Sequence, residues 1–447
     1  MENAIILKYL KDLVVSSVGN SWFLIESHGT KKHFLFNNES CELGKLPSLH
    51  RNNLNNIISK VVNEKKIISK PFFSPQNYLE RKKTPRLMLF LTASCNLQCV
   101  YCHCNSETQK GDMDEAYAIS VVKKYIKHVY DVAPSTDKIE ITFMGGGEPF
   151  LRIKTIKKIV HYIDSIGING EYTIVTNGTV GSTKEWEWLI SREFRITISA
   201  DGPPPIQNQQ RKFVWENGKT SDVIEKRFGM LSQNGAKVNI RSTVMDVRRN
   251  GIKSICDYFE QIPCVKTHHL EPVSFAGRAS SIKLNEMEFY SYFFRNYAPY
   301  LYKNPARYKS AWFKPFKKSD GFCGAVYSNA IVTHDGYISL CSEVDSSMRN
   351  TNYGKKYISS HVNHDNPFLS LNALEFAEKN SIENIDICKN CIIRYKCGGG
   401  CYIKRDRDFK GADSFYNAYC KNAIILNMSY LIDTYEYENV QRQGSPA

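Results

Sequence analysis

Cys95, Cys99 and Cys102 lie in the run Thr92-Ala93-Ser94-Cys95-Asn96-Leu97-Gln98-Cys99-Val100-Tyr101-Cys102, a C-x3-C-x2-C triplet with an aromatic residue before its last cysteine. Three thiolates on one short loop are one fewer than a four-iron, four-sulfur cube takes when fully ligated by protein, so one iron would stay open to a further ligand. A zinc knuckle is the competing reading. Structural zinc, however, takes four closed ligands from paired C-x2-C or C…H units, and no such pair lies near this triplet. The chain holds 14 cysteines, and Met1 to Leu10 lacks the basic segment, apolar run and small-residue cleavage site of an export signal. That combination argues for metal ligation in a reducing cytoplasm and against disulfides.

Further marks follow at regular places. Gly146-Gly147-Glu148-Pro149 ends the apolar run Ile139–Met144, and glycines after a strand let backbone groups approach a ligand closely. The run from Thr173 to Thr179 ends in Thr-Asn-Gly at Thr176, Asn177 and Gly178, and Ser199-Ala200-Asp201-Gly202-Pro203 closes another apolar run. Together these motifs resemble the radical S-adenosylmethionine (SAM) enzymes. The resemblance implies that Cys95, Cys99 and Cys102 hold a [4Fe-4S] cluster whose open iron binds the amino and carboxylate groups of SAM. The cluster would then reduce SAM to a radical that takes hydrogen from a substrate. It also implies that Tyr101, Gly146, Gly147, Glu148, Asn177, Ser199 and Asp201 contact SAM. Arg211 and Arg241 are candidates for its carboxylate, since guanidinium forks suit that geometry, or are ordinary surface arginines.

The C-terminal third carries seven more cysteines in fixed order. Cys323 is followed by twelve residues, Gly336, four residues and Cys341; then come Cys388-x2-Cys391-x5-Cys397-x3-Cys401, and finally Cys420. This order resembles the SPASM domain, which implies two auxiliary [4Fe-4S] clusters and three clusters in all. By that resemblance Cys388, Cys391, Cys397 and Cys420 hold the distal one, and Cys323, Cys341 and Cys401 the nearer one. Trp312 to Phe322 contains no further cysteine, so the nearer cluster is expected to have an open or non-cysteine site. Of the remaining cysteines, Cys256 is expected in the core, Cys104 is expected to pack, and Cys41 and Cys264 have no assigned role.

These residues need a scaffold. Strand-like runs at Leu87–Leu91, Ile139–Phe143, Tyr172–Val175, Phe194–Ile198, Val238–Val244 and Val265–Leu270 alternate with helical patterns. In these, Ile156, Ile159, Val160 and Ile163, and again Ile252, Ile255, Cys256 and Phe259, share one face. Six strand–helix units predict a parallel sheet with right-handed crossovers. The fold class expected is α/β: a partial (β/α)6 radical SAM barrel over 85–275, with chemistry at the C-terminal strand ends. Before it, residues 1–80 read as a winged-helix-like module of a hairpin and a helix. The hairpin comprises Trp22–Ile25 and Lys32–Phe36 around His28-Gly29-Thr30, and the helix carries Leu54, Ile57, Ile58 and Val61. After it come an aromatic-rich helical bridge at 276–320, the SPASM domain at 321–432, and a tail at 433–447, disordered from Gln441. Rings in the bridge are expected to be core, with the alternative that some line a pocket for an aromatic substrate.

The resemblance implies a maturase that crosslinks side chains of a ribosomally made precursor peptide by C–C or ether bonds at aromatic residues such as Trp, as in the group that forms cyclophanes. The alternatives are an anaerobic sulfatase maturase that forms formylglycine, or a thioether-forming peptide maturase. Sulfatase maturases resemble this chain but carry an aspartate directly after the cysteine that matches Cys341; here that residue is Ser342. Glu343 is the first candidate for the catalytic base and Asp345 the second. The implied partners are a precursor whose leader adds to the N-terminal sheet and an external electron donor such as flavodoxin or ferredoxin. No run of about 20 apolar residues is present, so no membrane span is expected. The net charge of +14 is spread along the chain, which argues against nucleic acid as the partner.

Overall fold

The computed structural model describes residues 13–19, 22–27, 32–37, 42–46, 86–104, 111–215, 218–282, 285–314, 321–327, 329–389, 391–407 and 415–444. At the N-terminus, β1 (Leu13–Gly19), β2 (Trp22–Ser27), β3 (Lys32–Asn37) and β4 (Glu42–Leu46) form an antiparallel sheet in that order. The expected hairpin is its central pair. Its outer strands were not foreseen, because Glu42-Leu43-Gly44-Lys45 carries a glycine and two charges where strand periodicity is sought. Ile25, Phe34 and Phe36 point into the main core. The helix expected on Leu54, Ile57, Ile58 and Val61 lies outside the described residues, as does Cys41.

The next six strands are β5 (Arg86–Leu89), β6 (Lys138–Phe143), β7 (Asn169–Thr176), β8 (Arg195–Ser199), β9 (Val238–Val244) and β10 (Val265–Pro272). They lie side by side in chain order, and every neighbouring pair is parallel. Parallel neighbours cannot be joined by tight turns. Helices make the crossovers: α1 (Glu115–Val132), α2 (Ile153–Ser165), α3 (Thr183–Ser191), α4 (Pro204–Gln210), α5 (Thr220–Gln233) and α6 (Arg249–Glu260). The apolar face of α2, with Ile156, Ile159, Val160 and Ile163, is fully covered. Each such side chain contributes roughly 1.5–3 kcal/mol. Ser182 and Glu185 form a reciprocal cap that starts α3. This is the open barrel-like sheet that the alternation predicts.

The sheet does not stop there. β11 (Tyr308–Lys309) adds to β10, while β12 (Asn329–Val332) pairs in parallel with β5. Beyond it, β13 (Tyr337–Ser339) and β14 (Ile358–His361) continue antiparallel, giving ten strands in one sheet. An unpaired β5 edge would leave backbone groups open, and β12 satisfies them. The cysteine-rich C-terminal segment is thereby anchored next to the strand that leads into the cysteine triplet.

Between these parts, α7 (Glu286–Lys303) buries Phe289, Tyr290, Phe293, Phe294 and Tyr297, so the helical rings are core. Cys256 lies fully buried on α6, and Cys264 is buried as well. The final helix, Lys421–Gly444, runs past Gln441, where disorder was expected. Glu436, Glu438, Gln441 and Arg442 are good helix formers, which favours continuing the helix here. Among the described residues no helix is long and apolar enough to cross a membrane.

Candidate cluster and cofactor site

The loop after β5 is held from several sides. Gly147 donates its amide to the Thr92 carbonyl at 2.8 Å and Glu148 to the Ser94 carbonyl at 2.9 Å. A Cβ on Gly147 would lie 1.8 Å from the Ser94 oxygen, and one on Gly146, at φ +61°, 2.7 Å from the Thr92 oxygen. The glycine pair is therefore needed first for packing against the cysteine loop, and only then for nearness to a ligand. From the far side, Val100 donates to Gln210 O and Gln98 to Lys212 O. Arg278, just after β10, donates its amide to Cys102 O at 3.1 Å and Nη1 to Cys99 O at 2.6 Å.

Glu148 ties three strand ends together. Its carboxylate accepts from Thr176 Oγ1 at 2.5 Å, Asn177 N at 2.7 Å and Phe150 N at 3.0 Å. Burial pushes its pKa up to about 7, although those hydrogen bonds pull the other way. Asn177 donates Nδ2 to Asn96 Oδ1 at 2.8 Å, which fixes the residue next to Cys95. Asp201 is fully buried, and its carboxylate accepts from Tyr101 Oη at 2.5 Å, Arg211 Nη2 at 3.1 Å and Thr243 N at 3.0 Å. It stands behind Tyr101 and Arg211 and positions them.

A cavity of about 340 Å³ opens at the C-terminal ends of the strands. Its lining includes Cys95, Cys99, Tyr101, Cys102, Gly146, Gly147, Glu148, Asn177, Ser199, Arg211 and Arg241; Asp201 is absent from it. Arg211 is committed to Asp201, with Nε 3.0 Å from Oδ2, whereas Arg241 is exposed. Burial pushes the thiols of Cys95 and Cys99 up, to about 12 and about 11. Metal ligation requires thiolates, so a bound cation must supply the compensating charge. Among the described residues no three or more His, Cys, Asp or Glu side chains converge as they would on one metal ion. Cube thiolates each bind a separate iron, and Cys95, Cys99 and Cys102 all line this cavity, so the three-thiol donor set fits such a cluster.

The C-terminal segment lines the same cavity through Phe322, Ser342, Glu343, Cys401 and Lys404, and Ala311 and Trp312 line it as well. The seven cysteines fall into two neighbourhoods by mutual charge repulsion. Cys341 and Cys401 each feel Cys323. Cys388 feels Cys391 and Cys397, and Cys420 feels all three. Cys420 is placed by a π-helical turn, Tyr416–Cys420, a local widening of the helix common at functional sites.

The two carboxylates considered for proton transfer differ in placement. Burial pushes Glu343 up, but His103, Arg407 and Lys404 outweigh it and hold the pKa at about 2. Arg407 Nη2 donates to it at 3.1 Å. Asp345 does not line the cavity; its Oδ1 caps the short helix Ser346–Met348 by accepting from Ser347 N at 2.8 Å. Sequence reasoning did not single out His103, Glu271, Trp312 or Lys404, all of which line the cavity. Glu271 ends β10, so the rule that chemistry sits at C-terminal strand ends could have found it. No motif marks Lys404. Cys104 also lines the cavity and is buried.

Residues 89–256 match the radical SAM superfamily. With the open parallel sheet, this establishes a radical SAM domain in an α/β fold, a family that uses SAM and a [4Fe-4S] cluster. The uncharacterized protein MJ0907 of Methanocaldococcus jannaschii is 32% identical over 152 residues, covering 33% of this chain and about half (49%) of that protein's length. The cysteine-type anaerobic sulfatase-maturating enzyme of Clostridium novyi is 21% identical over 409 residues, 77% of this chain and 96% of that protein. Among solved structures, anSMEcpe with bound AdoMet and Cp18Cys peptide superposes at TM-score 0.59 with 18% identity, covering 79% of this chain and 99% of its own. Streptococcus suis SuiB bound to its precursor peptide SuiA superposes at TM-score 0.53 with 14% identity, covering 87% and 94%. At such identities the likeness to the solved structures shows the fold.

Proposed function

We propose that this chain is a cytoplasmic radical SAM enzyme of SPASM type that modifies a ribosomally made precursor peptide by joining two of its side chains. One observation carries the reading. Cys95, Cys99 and Cys102 line the same cavity as Glu343 and Cys401. A substrate held there would face both cysteine sets at once. When bound, the cluster and SAM supply a radical able to remove hydrogen from an unactivated carbon.

The chain's own residues have separable tasks. Cys95, Cys99 and Cys102 hold the first cluster. Glu148 accepts hydrogen bonds at the strand ends beside SAM, and Tyr101, Asn177, Ser199 and Arg241 line its bed. Cys388, Cys391, Cys397 and Cys420 hold one auxiliary cluster. Cys323, Cys341 and Cys401 hold another, whose remaining site takes no cysteine from the segment before Cys323. Clusters held by these cysteines would supply a site for the electron that the product gives up, while flavodoxin or ferredoxin would be the external donor to the first cluster. The N-terminal sheet, whose outer strands among the described residues are β1 and β4, suits a leader peptide that adds as a further strand. Glu343 is the carboxylate placed to meet a proton leaving the substrate, whereas Asp345 is occupied as a cap. The low pKa of Glu343 limits its strength as a base, and its charge also holds Arg407.

SuiB was solved with a precursor peptide, which supports peptide as the substrate class. A crosslink at aromatic residues, as in the darobactin synthase group, is the finer form of this reading. Formylglycine formation is the second reading, favoured by the length of the match to the sulfatase-maturating enzyme. Ser342 in place of the aspartate expected after Cys341 argues against it. Tandem mass spectrometry of short peptides encoded beside the gene and co-expressed with it tests the proposal. Loss of two hydrogens located between two side chains supports crosslinking. An unmodified peptide together with a sulfatase that gains formylglycine overturns it.

A further inference from the structure

Lys404 is 7% exposed, yet it lines the cavity. Among the described residues no hydrogen bond or ion pair holds its ammonium, and the rings of Trp312 and Tyr290 lie beside it, with centroids 5.8 and 5.9 Å away. A buried ammonium without an acceptor is costly. The two nearby carboxylates are already engaged. Glu271 accepts from Ala311 N at 2.5 Å, Trp312 Nε1 at 3.0 Å and Ser310 Oγ at 3.2 Å, and meets His269 Nε2 at 2.6 Å. Glu343 accepts from Arg407.

We propose that Lys404 is a carboxylate-binding subsite for the peptide substrate, with Trp312 as the apolar wall against which the adjoining side chain rests. The inference rests on the radical SAM peptide-maturase reading above. SAM also carries a carboxylate, but the barrel supplies its own cations for it: Arg211 Nη1 lies 4.0 Å from Cys99 Sγ, and Arg241 lines the cavity as well. Lys404 comes from the C-terminal segment, three residues after Cys401. A substrate carboxylate there would hold the peptide between the two cysteine sets.

The test uses the full chain, reconstituted anaerobically, with S-adenosylhomocysteine bound. Two probes are titrated by saturation-transfer NMR: N-acetyl-glutamate N-methylamide and its neutral isostere, N-acetyl-glutamine N-methylamide. Wild type should prefer the acidic probe by about tenfold or more, the size of one charge-assisted hydrogen bond. Lys404→Met should erase that preference and Lys404→Arg should keep most of it, with S-adenosylhomocysteine affinity unchanged in both. Should the methionine variant lose iron or unfold, Lys404→Gln takes its place. The proposal is overturned if wild type binds both probes alike or neither at millimolar concentration, or if the preference survives Lys404→Met. It is equally overturned if Lys404→Met weakens S-adenosylhomocysteine instead, which would make the lysine a cofactor contact. Failure of wild type to bind S-adenosylhomocysteine would overturn the maturase reading itself, and the subsite with it.

Discussion

Gly147 and Ser94 are packed so closely that a Cβ on the glycine would sit 1.8 Å from the serine's carbonyl oxygen. The clash is with backbone, and neither side can move without shifting Cys95. Gly147→Ala should therefore displace the cysteine loop. Overpacking of this kind costs roughly 1–3 kcal/mol. The iron content of the anaerobically reconstituted protein should drop by the share of one cluster, and SAM cleavage with it. Full iron content and cleavage in the variant would show that the loop has slack that the packing does not suggest.

Arg278 clamps the same loop from the other side, through its amide on Cys102 O and its guanidinium on Cys99 O. Arg278→Ala leaves the backbone contact and removes the charge-assisted one, worth about 1.5–3 kcal/mol. The variant should load its cluster but lose it faster to a chelator, and the EPR spectrum of the reduced cluster should broaden. Arg278→Lys should recover part of the retention. Unchanged chelation kinetics in Arg278→Ala would remove the clamp from the account.

How far these relationships could be read from the chain depends on range. The six strand runs carry their own period and end in motifs, so the sheet order and the grouping of Cys95, Gly147, Asn177 and Ser199 follow from local pattern plus crossover handedness. Lys404 has no such signal. It reaches the cavity because β12 pairs with β5, a contact some 240 positions apart that no local periodicity encodes. Asp201 was read from its motif as a cofactor contact, yet its side chain turns to Tyr101 and Arg211. A motif fixes which residue stands at a strand end, while the facing of that side chain depends on neighbours brought in by tertiary packing.

The two cysteine neighbourhoods in the C-terminal segment predict separable losses. Cys95→Ala should abolish SAM cleavage, because the three-thiolate loop cannot be completed. Cys388→Ala lies in the set with Cys391, Cys397 and Cys420, none of which lines the cavity. It should spare some cleavage yet stop product, since the electron exit is broken. Product at the wild-type level from Cys388→Ala would sink the electron-exit role of that set.

Glu148 gives a pH signature independent of turnover. Its carboxyl ordinarily titrates near 4.5, and burial raises it to about 7 in the fold. Between those values the folded chain holds a proton at this site that the unfolded chain has released, so stability falls as pH rises through the window. A shift of that size corresponds to about 3 kcal/mol. Glu148→Gln cannot titrate. It forgoes one set of acceptor contacts with Thr176, Asn177 and Phe150, so it should be the weaker protein near pH 5. The gap to wild type should then close, or reverse, by about 3 kcal/mol as pH approaches 8. Chemical denaturation of both proteins across that range measures the difference. Parallel curves would mean that Glu148 ionises freely in the fold and that its burial is matched by its hydrogen bonds.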